Sequence, residues 1–171
     1  ILSIMALVYA ISYPHAVEIG LVQGTIDTFR NADRHNNVKI ADDILIYRFD
    51  APLTFANVPH FLKRLRSYEQ HKKGLRFVVI DASAIDSIDT TAIDTLSELS
   101  DEYKRRDIRF AISCLKGPVR DKFERTNMFE EIGKDNFFPT DLDAIKSFKG
   151  EDRLVDTDVL FQTNPKKHKL L

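Results

Sequence analysis

Tryptophan is absent from the 171 residues, cysteine occurs once, methionine twice, and glycine and proline six times each. A lone cysteine, Cys114, cannot close an internal disulfide, so no disulfide framework holds this chain; the usage fits a reducing compartment. The five histidines (His15, His35, His60, His71, His168) show no HxH, HxxxH or CxxC spacing, which argues against zinc. No GxxxxGKS/T or GxGxxG loop is present to cradle a phosphate. No GxSxG, HExxH or Cys–His pairing suggests hydrolysis, so no enzymatic activity is expected. Excess charge is lacking too. The 25 basic and 26 acidic residues nearly cancel, leaving no compositional case for nucleic acid binding. Long apolar runs are missing: the uncharged start, ILSIMALVYAISY (1–13), falls short of the roughly 20 residues that a spanning helix needs. It also lacks the basic start and the cleavage site of a signal peptide.

What is present fits one globular domain with tails, since 43% of the residues are apolar. The first residue is Ile1, and a start without methionine predicts a piece of a longer or processed chain. The apolar start reads either as a first buried element or as the cut end of a transmembrane helix. HAVEIG (15–20) alternates like a strand, with Ala16, Glu18 and Gly20 on one face. Residues 21–42 are mixed and polar and read as a long connection. DILIYRFD (43–50) is a strand stopped by Pro52. Val58, Phe61, Leu62, Leu65 and Tyr68 then fall at helical spacing, with Lys63, Arg64, Arg66 and Lys72 toward solvent and Gly74 as the stop.

LRFVVID (75–81) is almost wholly apolar, as for a strand covered on both faces. A helix over about 91–106 carries Ala92, Leu96, Leu99 and Tyr103 as its stripe. IRFAISC (108–114) is a strand, Gly117-Pro118 opens a short helix, and NFF (136–138) is a short strand. Thr140 caps a last helix with Asp141 and Asp143 in its first turn. From Gly150 the periodicity fades, and residues 150–171 are expected to be a disordered tail. Strands and helices alternate from residue 43, so the fold class is α/β with a largely parallel sheet.

In such sheets functional groups gather beyond the carboxyl ends of the strands. DAPLTFAN (50–57), DASAIDSIDTT (81–91) and CLKGPVRD (114–121) should meet there. Within IDSIDTTAIDTL (85–96), Asp89, Thr90 or Thr91 can cap the helix, which alone explains the residue types. A hydroxyl at a helix N-terminus also suits phosphate, although Asp86, Asp89 and Asp94 would repel one. The stretch argues against a calcium loop, since it has no glycine and spaces its aspartates with apolar residues. Lys116, Arg120, Lys122 and Arg125 form either a solvated basic face or an anion site. Lys116 and Arg120 are the candidates for a phosphate or nucleotide. Asp81, at a strand end, is the acceptor in a receiver-like reading with magnesium, but the acidic pair such a site needs is missing.

Several segments in register resemble one family. SYPHAVEIG, QGTIDTFRN, YRFDAPLTFANVPHFLKRL, VVIDASAIDSIDTTAIDTL, LKGPVRDKFERTNMFEEIG and NFFPT are similar, from about residue 12 to residue 148, to the STAS domain of SulP-type anion transporters, the sulfate permeases. The resemblance implies the STAS fold, a central largely parallel β-sheet packed against several α-helices, over residues 14–149. It implies that residues 1–13 end a transmembrane helix or form a juxtamembrane linker, and that the strand at 15–20 joins the sheet beside 43–49.

In function it implies a regulatory, protein-interaction domain on the cytoplasmic face of the inner (plasma) membrane. That domain would be joined in one chain to a membrane domain carrying sulfate or a bicarbonate-type anion. No cofactor is implied, though guanine nucleotide binding is reported for some STAS domains. Expected partners are the membrane domain, a cytoplasmic protein and a second copy in a homodimer. Asp86, Asp89, Thr90 and Thr91 become the signature loop. By similarity to anti-sigma-factor antagonists Thr91 aligns with the phosphoacceptor and Thr90 with the preceding serine, while Ala92 replaces the family's glycine. A free-standing partner-switching protein phosphorylated at Thr91 is therefore the alternative.

Overall fold

The computed structural model describes residues 2–22, 29–31, 38–150 and 162–163. The chain opens with helix α1 (Leu2–Ser12) and strand β1 (Ala16–Val22), followed by β2 (Phe29–Asn31) and β3 (Val38–Ile40). From there strands and helices alternate: β4 (Ile44–Phe49), α2 (Val58–Glu69), β5 (Phe77–Asp81), α3 (Thr90–Arg105) and β6 (Arg109–Ser113). Next come α4 (Gly117–Arg125), α5 (Met128–Ile132), a 3-10 turn (Lys134–Asn136), β7 (Phe137–Phe138), α6 (Asp141–Lys149) and β8 (Gln162–Thr163).

The strands β4, β5, β6 and β7, which carry the helical connections, pair in parallel. That is the geometry a strand–helix–strand repeat imposes. β1 lies antiparallel beside β4, with Ala16 opposite Phe49 and Ile19 opposite Ile46. The sheet path runs β7-β6-β5-β4-β1-β3-β8, and β2 also pairs with β1. The expected connection over 21–42 therefore contains two short strands. Both are defined by their pairing with β1, antiparallel in each case. The disordered tail expected from residue 150 falls outside the described residues, save Gly150 and the two residues of β8, which pair with β3.

Each face of the sheet has its own core. On the first, α2, α3, α4 and α5 lay Phe61, Leu65, Ala92, Leu96, Val119, Phe123, Met128 and Ile132 over Leu45, Tyr47, Val78, Ile80 and Ile112. On the second, α6 lays Ala144 and Ile145 over Ile44, Ile46, Phe77, Val79 and Ala111. β5 is buried along its length because both layers cover it. The α2 periodicity predicts its inner face, but Gly74 is not its stop. The helix ends at Glu69, and Gly74, with φ of 75°, makes the turn into β5.

Lys72, expected in solvent, is instead buried just beyond α2, where its ammonium pairs with Glu18 of β1 and donates to the Ala41 carbonyl at 2.6 Å. The apolar start is helical but not buried: Ile4, Met5, Leu7, Val8, Tyr9 and Ile11 are exposed. Its end is tied to the domain, since Asn57 donates to the Ile11 carbonyl at 3.3 Å and the Tyr13 ring meets His60 edge-on. Among the described residues no helix is long and apolar enough to cross a membrane.

Candidate functional site

The three segments expected to converge beyond the strand ends do meet. After β4, Leu53 forms an isolated parallel bridge with Ile88: its N–H donates to the Ser87 carbonyl at 3.0 Å and its carbonyl accepts from the Asp89 N–H at 3.2 Å. The buried Asn57 closes this first loop, accepting from the Thr54 N–H at 3.0 Å and donating to the Pro52 carbonyl at 2.9 Å. From the third segment, the Lys116 ammonium pairs with the Asp86 carboxylate, and Lys122, just beyond it on α4, donates to the Ile88 carbonyl at 2.7 Å.

Asp89 organises the junction. It is the N-cap of α3, with extended backbone (φ −98°, ψ 176°), and its Oδ1 accepts from the Ala92 N–H at 2.9 Å. Its Oδ2 accepts from the Phe55 N–H at 2.7 Å, clamping the first loop onto the helix start. Of the three capping candidates, Asp89 has the role. Thr90 and Thr91 occupy the first two positions of the helix with exposed side chains. Beside them Phe55, whose side chain the loop holds outward, is 70% exposed. Nothing in the sequence pattern marks Phe55, because an aromatic in an apolar-rich loop reads as core.

This assignment separates two substitutions. Asp89→Ala removes the cap and the Phe55 clamp and should destabilise the domain by about 1–2 kcal/mol. Thr91→Val, expected to cost about 1 kcal/mol if Thr91 were the cap, should change stability by less than about 0.5 kcal/mol. Urea titrations of both variants check the pair; a Thr91→Val loss as large as that of Asp89→Ala would overturn it.

The basic candidates divide. Lys116 is spent on Asp86 in a solvent-exposed pair, an interaction of small net stability. Arg120 is exposed on α4. Lys122 and Arg125 point to neighbouring carbonyls, of Ile88 and Asp121.

Asp81 does not form a receiver-like acceptor site. It is 3% exposed, its Oδ1 accepts from the Ser83 N–H at 2.8 Å, and Lys116 pairs with Asp86 rather than with it. Asp81 lies instead on the α6 side of the sheet, where ligand-type atoms of Asp81, Cys114 and Asp141 all fall within 4.8 Å of one another. Asp141, 7% exposed, accepts from the Ser113 hydroxyl. Burial first, and then the charge of Asp81, push its carboxyl up to about 7, against the Ser113 bond and the Arg48 charge. Burial and the two carboxylates likewise push the Cys114 thiol up to about 12, so it is not an active nucleophile near neutral pH. The sequence pattern marks Asp141 only as a helix-start acid, because topology sets its approach to Asp81.

Comparison with known proteins converges on one family. The STAS domain family model matches residues 35–144. A probable sulfate transporter of Mycobacterium tuberculosis is 32% identical over 149 residues, covering 86% of this chain and 26% of the relative. Sulfate transporter 4.1 of Arabidopsis thaliana, chloroplastic, is 33% identical over 154 residues, covering 84% and 22%. The chain thus spans about a quarter of the length of the curated relatives it matches. Among solved structures, the murine Slc26a9 anion transporter in its inward-facing state matches with a TM-score of 0.75 at 20% identity, over 84% of this chain and 23% of that one, a likeness of fold.

Proposed function

Because this chain belongs to the STAS domain family, we propose that it is the regulatory, protein-interaction domain of a secondary active anion transporter of the sulfate-permease type. It lies on the cytoplasmic face of the membrane, and sulfate is the anion carried. The observation that supports this reading most is the pair of sulfate transporters about one-third identical to it, of which it matches only a part. The exposed apolar helix α1 suits a chain that continues from a membrane domain at that end. The reading frame upstream should then encode about ten or more apolar spans of roughly 20 residues, and a frame without them would sink the proposal.

The surface formed by Phe55, Thr90 and Thr91 is where the domain meets its regulator. An exposed aromatic beside a helix start gives a partner an apolar anchor, and a phosphate added at Thr91 would alter docking through its charge. Thr91→Glu and Phe55→Ser in the full transporter should lower sulfate uptake while leaving the melting temperature of the domain unchanged. Uptake equal to wild type in both variants would remove this surface from the mechanism.

A further inference from the structure

The polar cluster on the α6 side of the sheet takes no part in the surface above, yet it holds two buried carboxyl groups side by side. Asp81 ends β5, and Asp141 begins α6. One helix therefore starts against the charge that closes the neighbouring strand.

The groups around Asp141 come from every element packed there. From the end of β5 comes Asp81, whose other contact is the Ser83 N–H at 2.8 Å. From β6 come the Ser113 hydroxyl, which donates to Asp141, and the Cys114 thiol just beyond the strand. β4 sends the Arg48 guanidinium, but Asp50 holds it at 2.8 Å, and His15 lies 2.8 Å from the same Asp50 carboxylate. β7 supplies Phe137 and Phe138, which carry no charge. On α6 itself Asp143 is turned to Thr140, accepting from its hydroxyl at 2.7 Å while the Thr140 oxygen accepts from the Asp143 N–H at 3.1 Å. The Arg48 charge that acts on Asp141 is thus already shared with another carboxylate.

The opposite end of α6 is anchored independently. Lys149 pairs with Asp43, the Phe148 ring stacks on Phe77 with centroids 4.7 Å apart, and Arg109 donates to the Ser147 carbonyl at 3.4 Å. A charge change at Asp141 therefore acts on the first turn of the helix and not on its last.

We infer that the Asp81–Asp141 pair is a proton-operated latch. With the Asp141 carboxyl protonated, the first turn of α6 is seated on the sheet; when that proton leaves, two buried carboxylates repel and the turn loosens. The direction follows from linkage. The folded chain holds this proton more tightly than an ordinary carboxyl would, because Asp141 is raised from 3.8 to about 7. The latch is complete in acid, below the ordinary carboxyl range. Its contribution falls as pH rises from there to about 7 and is lost above that.

Hydrogen exchange on this chain, read by mass spectrometry from about pH 5.5 to about 8.5 and corrected for intrinsic exchange, tests the latch. Peptides spanning the first turn of α6 should lose about tenfold in protection between about pH 5.5 and about 7 and little more above that, while peptides from β5 keep theirs. Asp141→Asn, which keeps an acceptor for Ser113 but cannot ionise, should hold the protection seen in acid at every pH. The same pH response in Asp141→Asn would assign the effect elsewhere, His15 included, and overturn the proposal. So would flat protection in the wild type. A carbon-13 titration of the wild-type Asp141 carboxyl needs no variant: a midpoint near neutrality supports the latch, and one in the ordinary carboxyl range of about 4 overturns it.

Discussion

Lys72→Met should destabilise the domain by about 3–5 kcal/mol, measured by urea denaturation. The Lys72 side chain is 2% exposed and that of Glu18 7%, so the ion pair between them has been taken out of water. Desolvating two charges is costly, and their attraction, together with the Lys72 bond to the Ala41 carbonyl, offsets it only while both charges remain. Methionine fills much the same volume as the lysine stem, so packing is largely kept and the loss reports the missing charge. The double variant Glu18→Leu/Lys72→Met should recover much of the loss, because two apolar groups replace a buried pair with little net cost. A single-variant loss below about 1 kcal/mol would show that water reaches the pair and that it behaves as a surface bridge.

The same ion pair shows where a sequence stops being informative. Lys72 follows a clean amphipathic stripe and sits where solvent is expected. Glu18 sits in a strand whose alternation gives no hint of a cation behind it. Neither signal is local, since 54 positions separate them and the sheet alone brings them together.

Local signals carried much of the remainder. β5 declares itself by an unbroken apolar run, α3 by Ala92, Leu96, Leu99 and Tyr103, and α6 by its Thr140 cap, which the structure shows accepting from the Asp143 N–H. β2 and β3 escaped because strands of three residues are too short for alternation to register, and pairing with β1 defines them. α5, at five residues, is too short to build a stripe.

The candidate site divides along the same line. Its location and its helix start were legible, because a cap followed by a stripe is a local pattern. The choice of Asp89 over Thr90 and Thr91 was not, because it turns on which side chain reaches the Ala92 N–H. Nor was the Asp81–Asp141 pair, whose members belong to different elements on opposite sides of β6 in the chain.

Leu96→Ala should cost about 2–5 kcal/mol, lowering the melting temperature by roughly 4–20 °C. Leu96 is buried midway along α3, in the first-face core that also takes Leu65, Ile80, Ile112 and Phe123. Truncation to alanine removes the transfer free energy of the lost carbons and leaves a cavity walled by those elements. The end of the range that applies depends on how far the walls collapse. Ala92 and Leu99 flank the site on the same helix stripe, and the strands behind are fixed by parallel pairing on both sides of β5, so little collapse is expected and the upper half of the range applies. The variant also serves as a counterweight to Thr91→Val. Both residues lie on α3, one inward and one outward, so a transporter whose uptake falls with Leu96→Ala in step with melting has lost fold. One whose uptake falls with Thr91→Val at an unchanged melting temperature has lost a partner. A Leu96→Ala loss below about 1 kcal/mol would mean that α3 is not held by this core, and the position of the whole helix start would need another explanation.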